Sequence, residues 1–279
     1  MPLTPGRPSI ALALLCFVAI GRPADVAGQD FRVYTAVTEI GSDAASRRVV
    51  ARSLTLFHAG RVYDHMEELG ELVIFEPLQD RFILVKDRTA TVVAFSELRQ
   101  MLDVATGAAR EYSARLAVSR EPEAERLRAQ LLFQLQPEFE VRFDPATRRL
   151  RLEGVELRYE VRGESVGSPE LLERYLAWAD WTARLNTVLR SQGTFPGSRE
   201  TLNRSLREHQ LLPVSVTLQS RRAGDHHLRA DHEFRWQLQP IDKDQIHQWE
   251  RLQDSNRVQW VSFREYQQRL LMASHRSAR

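Results

Sequence analysis

FEVRFDPATRRLRLEGVELRYEVR, residues 139–162, alternates more regularly than any other run in the chain. Phe139, Val141 and Phe143 are interleaved with Glu140 and Arg142. Asp144-Pro145-Ala146-Thr147 breaks the run, and Leu150 and Leu152 then alternate with Arg149, Arg151 and Glu153. Past Gly154, Val155, Leu157, Tyr159 and Val161 alternate with Glu156, Arg158, Glu160 and Arg162. A period of two between turn residues predicts antiparallel strands, so this run reads as a three-strand meander with one greasy and one charged face.

The same signature recurs upstream. Strands are expected over 31–40, 49–58, 61–66, 71–76, 81–86 and 89–94, joined by turns at Ala59-Gly60, Gly70, Pro77–Asp80 and Asp87-Arg88. Ile74, Phe75, Phe82, Ile83, Leu84 and Val85 are apolar on both faces, so these strands are covered on both sides or face a cavity. Ser96 reads as the N-cap of an amphipathic helix through Leu98, Met101, Leu102, Ala105, Ala109, Tyr112 and Leu116. A second helix runs from Glu123 to Leu135, and Pro137 stops it. Ser168-Pro169-Glu170 starts a helix reaching about Arg190, and Ser198 caps a shorter one through Leu206. Pro213 opens a strand through Ser220, His226 to Leu238 forms its partner, and helices over about 242–252 and 263–272 close the chain. Ser262 and Glu265 have capping-box spacing.

Strands in blocks, rather than alternating with helices, predict an α+β fold. The expected sheet is antiparallel and curved or half-barrel in form, with helices packed on one face and helical additions at the C-terminus. Three segments follow: a signal peptide over 1–28, an antiparallel sheet plus helix over 29–163, and a helix-rich part with a β-hairpin over 164–279. A soft boundary lies near Gly163, with one sheet through both halves as the alternative.

Met1 to Gly28 has the pattern of a secretory signal: Arg7, the apolar run IALALLCFVAI (10–20), then Val26-Ala27-Gly28. The run is shorter than the roughly 20 residues a bilayer span needs. Cleavage after Ala27 or Gly28 places the chain across the inner membrane, in a periplasm or the medium, with no transmembrane span left. Cys16 is the single cysteine, and Leu15 before it is too bulky for a lipidation site. The mature chain is then cysteine-free, which excludes disulfides, thiolate metal sites and a cysteine nucleophile.

The 39 basic residues nearly balance 37 acidic ones, and only Lys86 and Lys243 are lysine. Interleaved acids and the absence of a basic block argue for a GC-rich coding bias over a nucleic-acid surface. Asp225, His226, His227, Asp231 and His232 suit zinc in composition. Along a strand, however, His226 and His232 lie about 20 Å apart and His227 points away, so a solvated hairpin is favoured. His58, Asp64 and His65 suggest an acid–base pair. Without a nucleophile nearby, a charged hairpin edge is the better reading. Nucleophile-elbow, phosphate-loop, zinc-protease and dinucleotide motifs are missing from the sequence. No catalytic residue, metal ligand or cofactor is assigned. Asn203-Arg204-Ser205 matches a glycosylation sequon inside an expected helix. Trp178, Trp181, Trp236, Trp249 and Trp260 all fall in the second half.

FHAGRVYDHMEELGELVIFEPLQDRFILVKDRTATVVA (57–94), with the later FEVRFD and LRYEVR, resembles uncharacterised secreted bacterial proteins whose strand order is similar to the half-open barrel of LolA-like envelope lipoprotein carriers. The segment from Ser168 to Gln210, with Arg184-Leu185-Asn186 and Thr201-Leu202-Asn203, departs from a plain carrier barrel. The resemblance implies a non-enzymatic envelope protein holding an apolar ligand such as an acyl chain, lidded by the helix after Ser96. Its partners would be lipid or another envelope protein, not nucleic acid. Phe75, Phe82, Leu84, Tyr159, Trp178 and Trp236 are the candidate lining residues. A cavity-free interaction or scaffold module is the alternative, and a hydrolase using His58, Asp64 or His232 a third.

Overall fold

The computed structural model describes residues 30–41, 47–190, 194–220 and 226–277. The signal segment and Asp225 therefore lie outside the described residues. The chain is α+β, and its strands are β1 (Phe31–Ile40), β2 (Arg47–His58), β3 (Arg61–Met66), β4 (Glu71–Glu76), β5 (Arg81–Lys86), β6 (Thr89–Ala94), β7 (Glu140–Asp144), β8 (Arg149–Glu153), β9 (Leu157–Ser165), β10 (Leu211–Ser220), β11 (His226–Arg235) and β12 (Gln259–Trp260). The helices are α1 (Phe95–Ala117), α2 (Pro122–Leu135), α3 (Pro169–Leu189), α4 (Gly197–Glu208), α5 (Pro240–Gln253) and α6 (Phe263–Ser277). Among the described residues, no helix is long and apolar enough to cross a membrane.

All strands join one sheet, ordered β12-β6-β5-β4-β3-β2-β1-β11-β10-β9-β8-β7. The sheet is not closed into a barrel. Pairing is antiparallel except between β12 and β6. Hairpins account for most neighbours, as at Ala59-Gly60, where both residues take positive φ and match a two-residue hairpin turn. One junction is far from local: β1 pairs with β11 from Arg32↔Arg235 to Ile40↔His227. β9 runs unbroken through Gly163, pairing with β10 on one side and β8 on the other.

Twelve flat strands would span about 53 Å at their usual spacing. A helix of α3's 21 residues is about 31 Å long. A single apolar core nevertheless joins Phe82 of β5, Val93 of β6, Val33 of β1 and Leu152 of β8 with Tyr175 and Leu176 of α3. The sheet must curl around that helix to bring them together. The helical layer on this inner face includes α3, α4 and α6. One C-terminal helical addition, α5, covers the opposite face, where Ile246 and Trp249 pack on Leu56, Tyr63, Ile74 and Val85. The central strands are therefore covered on both sides.

Several local expectations shift. Helix α1 begins at Phe95 with Ala94 as its cap residue, because Phe95 is drawn into the core between Phe75, Phe82 and Trp181. Most of α1 is exposed, so the helix after Ser96 is not the lid; α3 lies against the sheet instead. Pro196 precedes α4, leaving Ser198 buried inside its first turn. Val155 is exposed in the turn before β9, not part of the strand. Strand β10 starts at Leu211, ahead of Pro213, which sits at a bulge where no ladder hydrogen bond is demanded of it. β11 ends at Arg235, short of Leu238. Ser168 accepts from the Leu171 amide as expected of an N-cap, at 3.3 Å.

Candidate ligand cleft

Helices α3 and α4 are tied together before they meet the sheet. Arg184 Nε donates to Glu200 at 2.7 Å, and Arg207 pairs with Asp180 at 2.8 Å and Glu173 at 2.7 Å. Leu202 and Leu206 are fully buried between them. Asn203 is also fully buried and donates to Asp180 at 2.6 Å, so the sequon has no access to a glycosylating enzyme in the folded chain. Helix α2 approaches from the other side, with Phe133 edge-on to Phe139 at 5.4 Å.

These elements do not close completely over the sheet. A cleft of about 450 Å³ remains between α2, α3, α4 and the ends of β9 and β10. Leu157, Tyr159 and Leu218 line it from the sheet, Phe133 and Ala183 from helices α2 and α3, and Phe195 from the segment before α4. That volume lies within the roughly 300–1,000 Å³ of typical ligand clefts. Its apolar surface is bordered by polar side chains, among them Gln130, Gln134, Asn186 and the carboxylate of Glu156.

Two guanidinium groups enter this cleft, and their circumstances differ. Arg190, just past α3, clamps both carboxylate oxygens of fully buried Glu71. Arg199, in the first turn of α4, has no carboxylate within 4.0 Å among the described residues. It is in polar contact with the buried Tyr175 phenol, and its charge is felt by Tyr159 and His232. Burial raises the pKa of both tyrosines, and Arg199 partly offsets that rise. Burial, reinforced by Arg199, pushes His232 down to about 4, so its ring is neutral at pH 7. His232 Nδ1 meets Thr35 Oγ1 at 2.9 Å, while Nε2 is buried without a hydrogen-bond partner.

No protein-family model matches this chain, and neither does any curated protein. A solved structure does. It is a LolA superfamily protein from Nitrosomonas europaea, 8% identical, aligned over 76% of this chain and 88% of that one with a TM-score of 0.28. The similarity is weak and at the level of fold, and no residue role crosses at that identity.

Of the six residues expected to line a site, Tyr159 lies in the cleft. Phe75, Phe82 and Leu84 are buried in closed packing, the first two against Phe95. Trp178 packs edge-on against Phe57 at 5.9 Å, and Trp236 stacks on Phe234 at the margin. The other tryptophans are dispersed: Trp181 on Phe95, Trp249 on Tyr63, Trp260 on the edge strand β12.

The three residues named for hydrolysis do not converge. His58 bonds Asp30 at 2.8 Å, and alternation along β2 turns it away from the face that carries Phe57. Asp64 accepts from Thr55 at 2.7 Å. His232 is three strands away from Asp64 and two residues out of register with it. Arg199 was not among the sequence candidates, although a signal existed. It continues the stripe of Leu202, Asn203 and Leu206 at three-four spacing, placing a cation on the buried side of an amphipathic helix.

Proposed function

We propose that this chain is a non-enzymatic envelope protein that holds an apolar ligand, such as an acyl chain, in the cleft beneath α2, α3 and α4. What supports this reading is the cleft itself: about 450 Å³ bounded by Phe133, Leu157, Tyr159, Ala183 and Leu218. An apolar chain seated there would leave water and cover that surface, gaining about 25 cal/mol per Å² buried. The reading includes export across the inner membrane to the periplasm or the medium, with lipid or another envelope protein as the source of the ligand.

The test is binding of the apolar fluorophore N-phenyl-1-naphthylamine to the mature protein. Saturable binding is expected, and Ala183→Trp, which fills the cleft from α3, should weaken it at least roughly 10-fold, about 1.4 kcal/mol. A folded wild type that binds no fluorophore sinks the proposal and favours a scaffold module. Unchanged binding by Ala183→Trp places the fluorophore elsewhere.

A further inference from the structure

The electrostatics of the cleft carry more than its shape does. Around it, cations are matched by anions: Arg190 by Glu71, Arg184 by Glu200, Arg207 by Asp180 and Glu173. Arg199 breaks this pattern: it is half-buried, reaches the enclosed Tyr175 and forms no ion pair among the described residues, although Glu156 lines the same cleft. A guanidinium removed from water without an anion is costly unless a partner arrives from outside the chain. Guanidinium is also the side chain best shaped to grip a carboxylate or phosphate through paired N–H donors. Tyr159 lines the cleft and supplies a further polar edge, whereas Phe133, Leu157 and Leu218 supply none.

We propose that the cleft takes a single-chain amphiphile with an anionic head, the head seated on Arg199 and the chain laid along Phe133, Leu157 and Leu218. The inference rests on the ligand-holding reading above and specifies the class of ligand. A cationic head is disfavoured by Arg199, and a neutral head leaves its charge unmatched. Glu156, in the turn before β9, and Arg190, matched by Glu71, also line the cleft, so Arg199 is the cation left there to meet an anionic head.

The experiment is competition against bound N-phenyl-1-naphthylamine at pH 8, below micelle formation, with laurate, dodecyl phosphate, dodecanol and dodecyltrimethylammonium. On the wild type, laurate and dodecyl phosphate should displace the fluorophore at concentrations roughly 10- to 100-fold lower than dodecanol, the range of a charge-assisted hydrogen bond. Dodecyltrimethylammonium should be weakest. Arg199→Gln should abolish the anionic preference and leave dodecanol within about threefold, while Arg199→Lys keeps the preference in part. The wild-type series needs no substitution, so a variant that fails to fold leaves the test intact. Equal displacement by laurate and dodecanol on the wild type overturns the anionic head and leaves the apolar cleft standing. An anionic preference that persists in folded Arg199→Gln overturns the role of Arg199. A fluorophore that never binds the wild type removes both readings.

Discussion

Asp64 and His232 are buried on the same face of the sheet, and burial works on them in opposite directions. Burial pushes Asp64 from 3.8 up to about 6, offset by the Thr55 and Ser53 hydroxyls and reinforced by the negative charge of Glu71. A carboxyl with a raised folded pKa contributes stability that is fully present below pH 4 and lost as pH rises to about 6. His232 is depressed, so its contribution is present above pH 6.5 and lost as pH falls toward 4. Asp64→Asn should therefore gain on the wild type by about 3 kcal/mol between pH 4 and pH 7. His232→Gln should gain on the wild type in the other direction, as pH falls from 6.5 to 4. Urea unfolding of each variant alongside the wild type at several pH values measures these differences, with all other titrating groups cancelling. A flat difference for Asp64→Asn would mean that its carboxyl is solvated.

The junction of α3 with β4 depends on one ion pair. Glu71 opens β4 with its side chain fully buried, and Arg190 reaches it from just beyond Leu189. Removing the cation strands a carboxylate in the core, so Arg190→Ala should cost about 3–5 kcal/mol in chemical denaturation. Replacing both partners, as Arg190→Met with Glu71→Gln, removes the charge and should recover most of that loss; no recovery would mean that the pair acts through shape alone. On β9, Gly163 plays a steric part. A Cβ there would stand 2.2 Å from Leu211 Cγ, a branch point that cannot swing aside as a chain terminus would. The bulge in β10 beside Pro213 lies against this close approach.

One sheet contains strands from both ends of the chain, and its central seam joins β1 to β11 across 197 residues, as between Thr35 and His232. Neither side of that seam carries a complete core: Phe31, Val33 and Phe57 need Leu172, Tyr175 and Leu176 of α3 above them. The expected outcome is a single cooperative unfolding transition, coincident by far-ultraviolet circular dichroism and by fluorescence of the tryptophans, all of which lie beyond residue 163. A fragment ending at residue 163 should not fold alone. Separate transitions, or an independently folded fragment, would mean that the seam joins two autonomous units. So many distant pairings also predict slow folding, because loop closure precedes the contacts that stabilise it.

Alternation of apolar and charged residues was enough to find the strands, since a pleated backbone turns successive side chains to opposite faces whatever lies beyond it. Helix ends were less legible: α1 begins at Phe95 and α4 at Gly197, each one residue ahead of the serine expected to cap it. Residues apolar on both faces at Ile74, Phe75, Phe82 and Ile83 left double cover and a cavity both open, and which helix lies on which face could not be read. The cleft was legible only at Tyr159. Aromatic residues fill closed cores as readily as they line openings, and composition does not distinguish the two. Local sequence thus settled the α+β class, the hairpins and most strand limits, because turn chemistry and side-chain period act over a few residues. The seam between β1 and β11, the curl about α3 and the unmatched charge of Arg199 were decided only in three dimensions. Each depends on groups far apart in the chain that packing brings together or, for Arg199, leaves without an ion pair among the described residues.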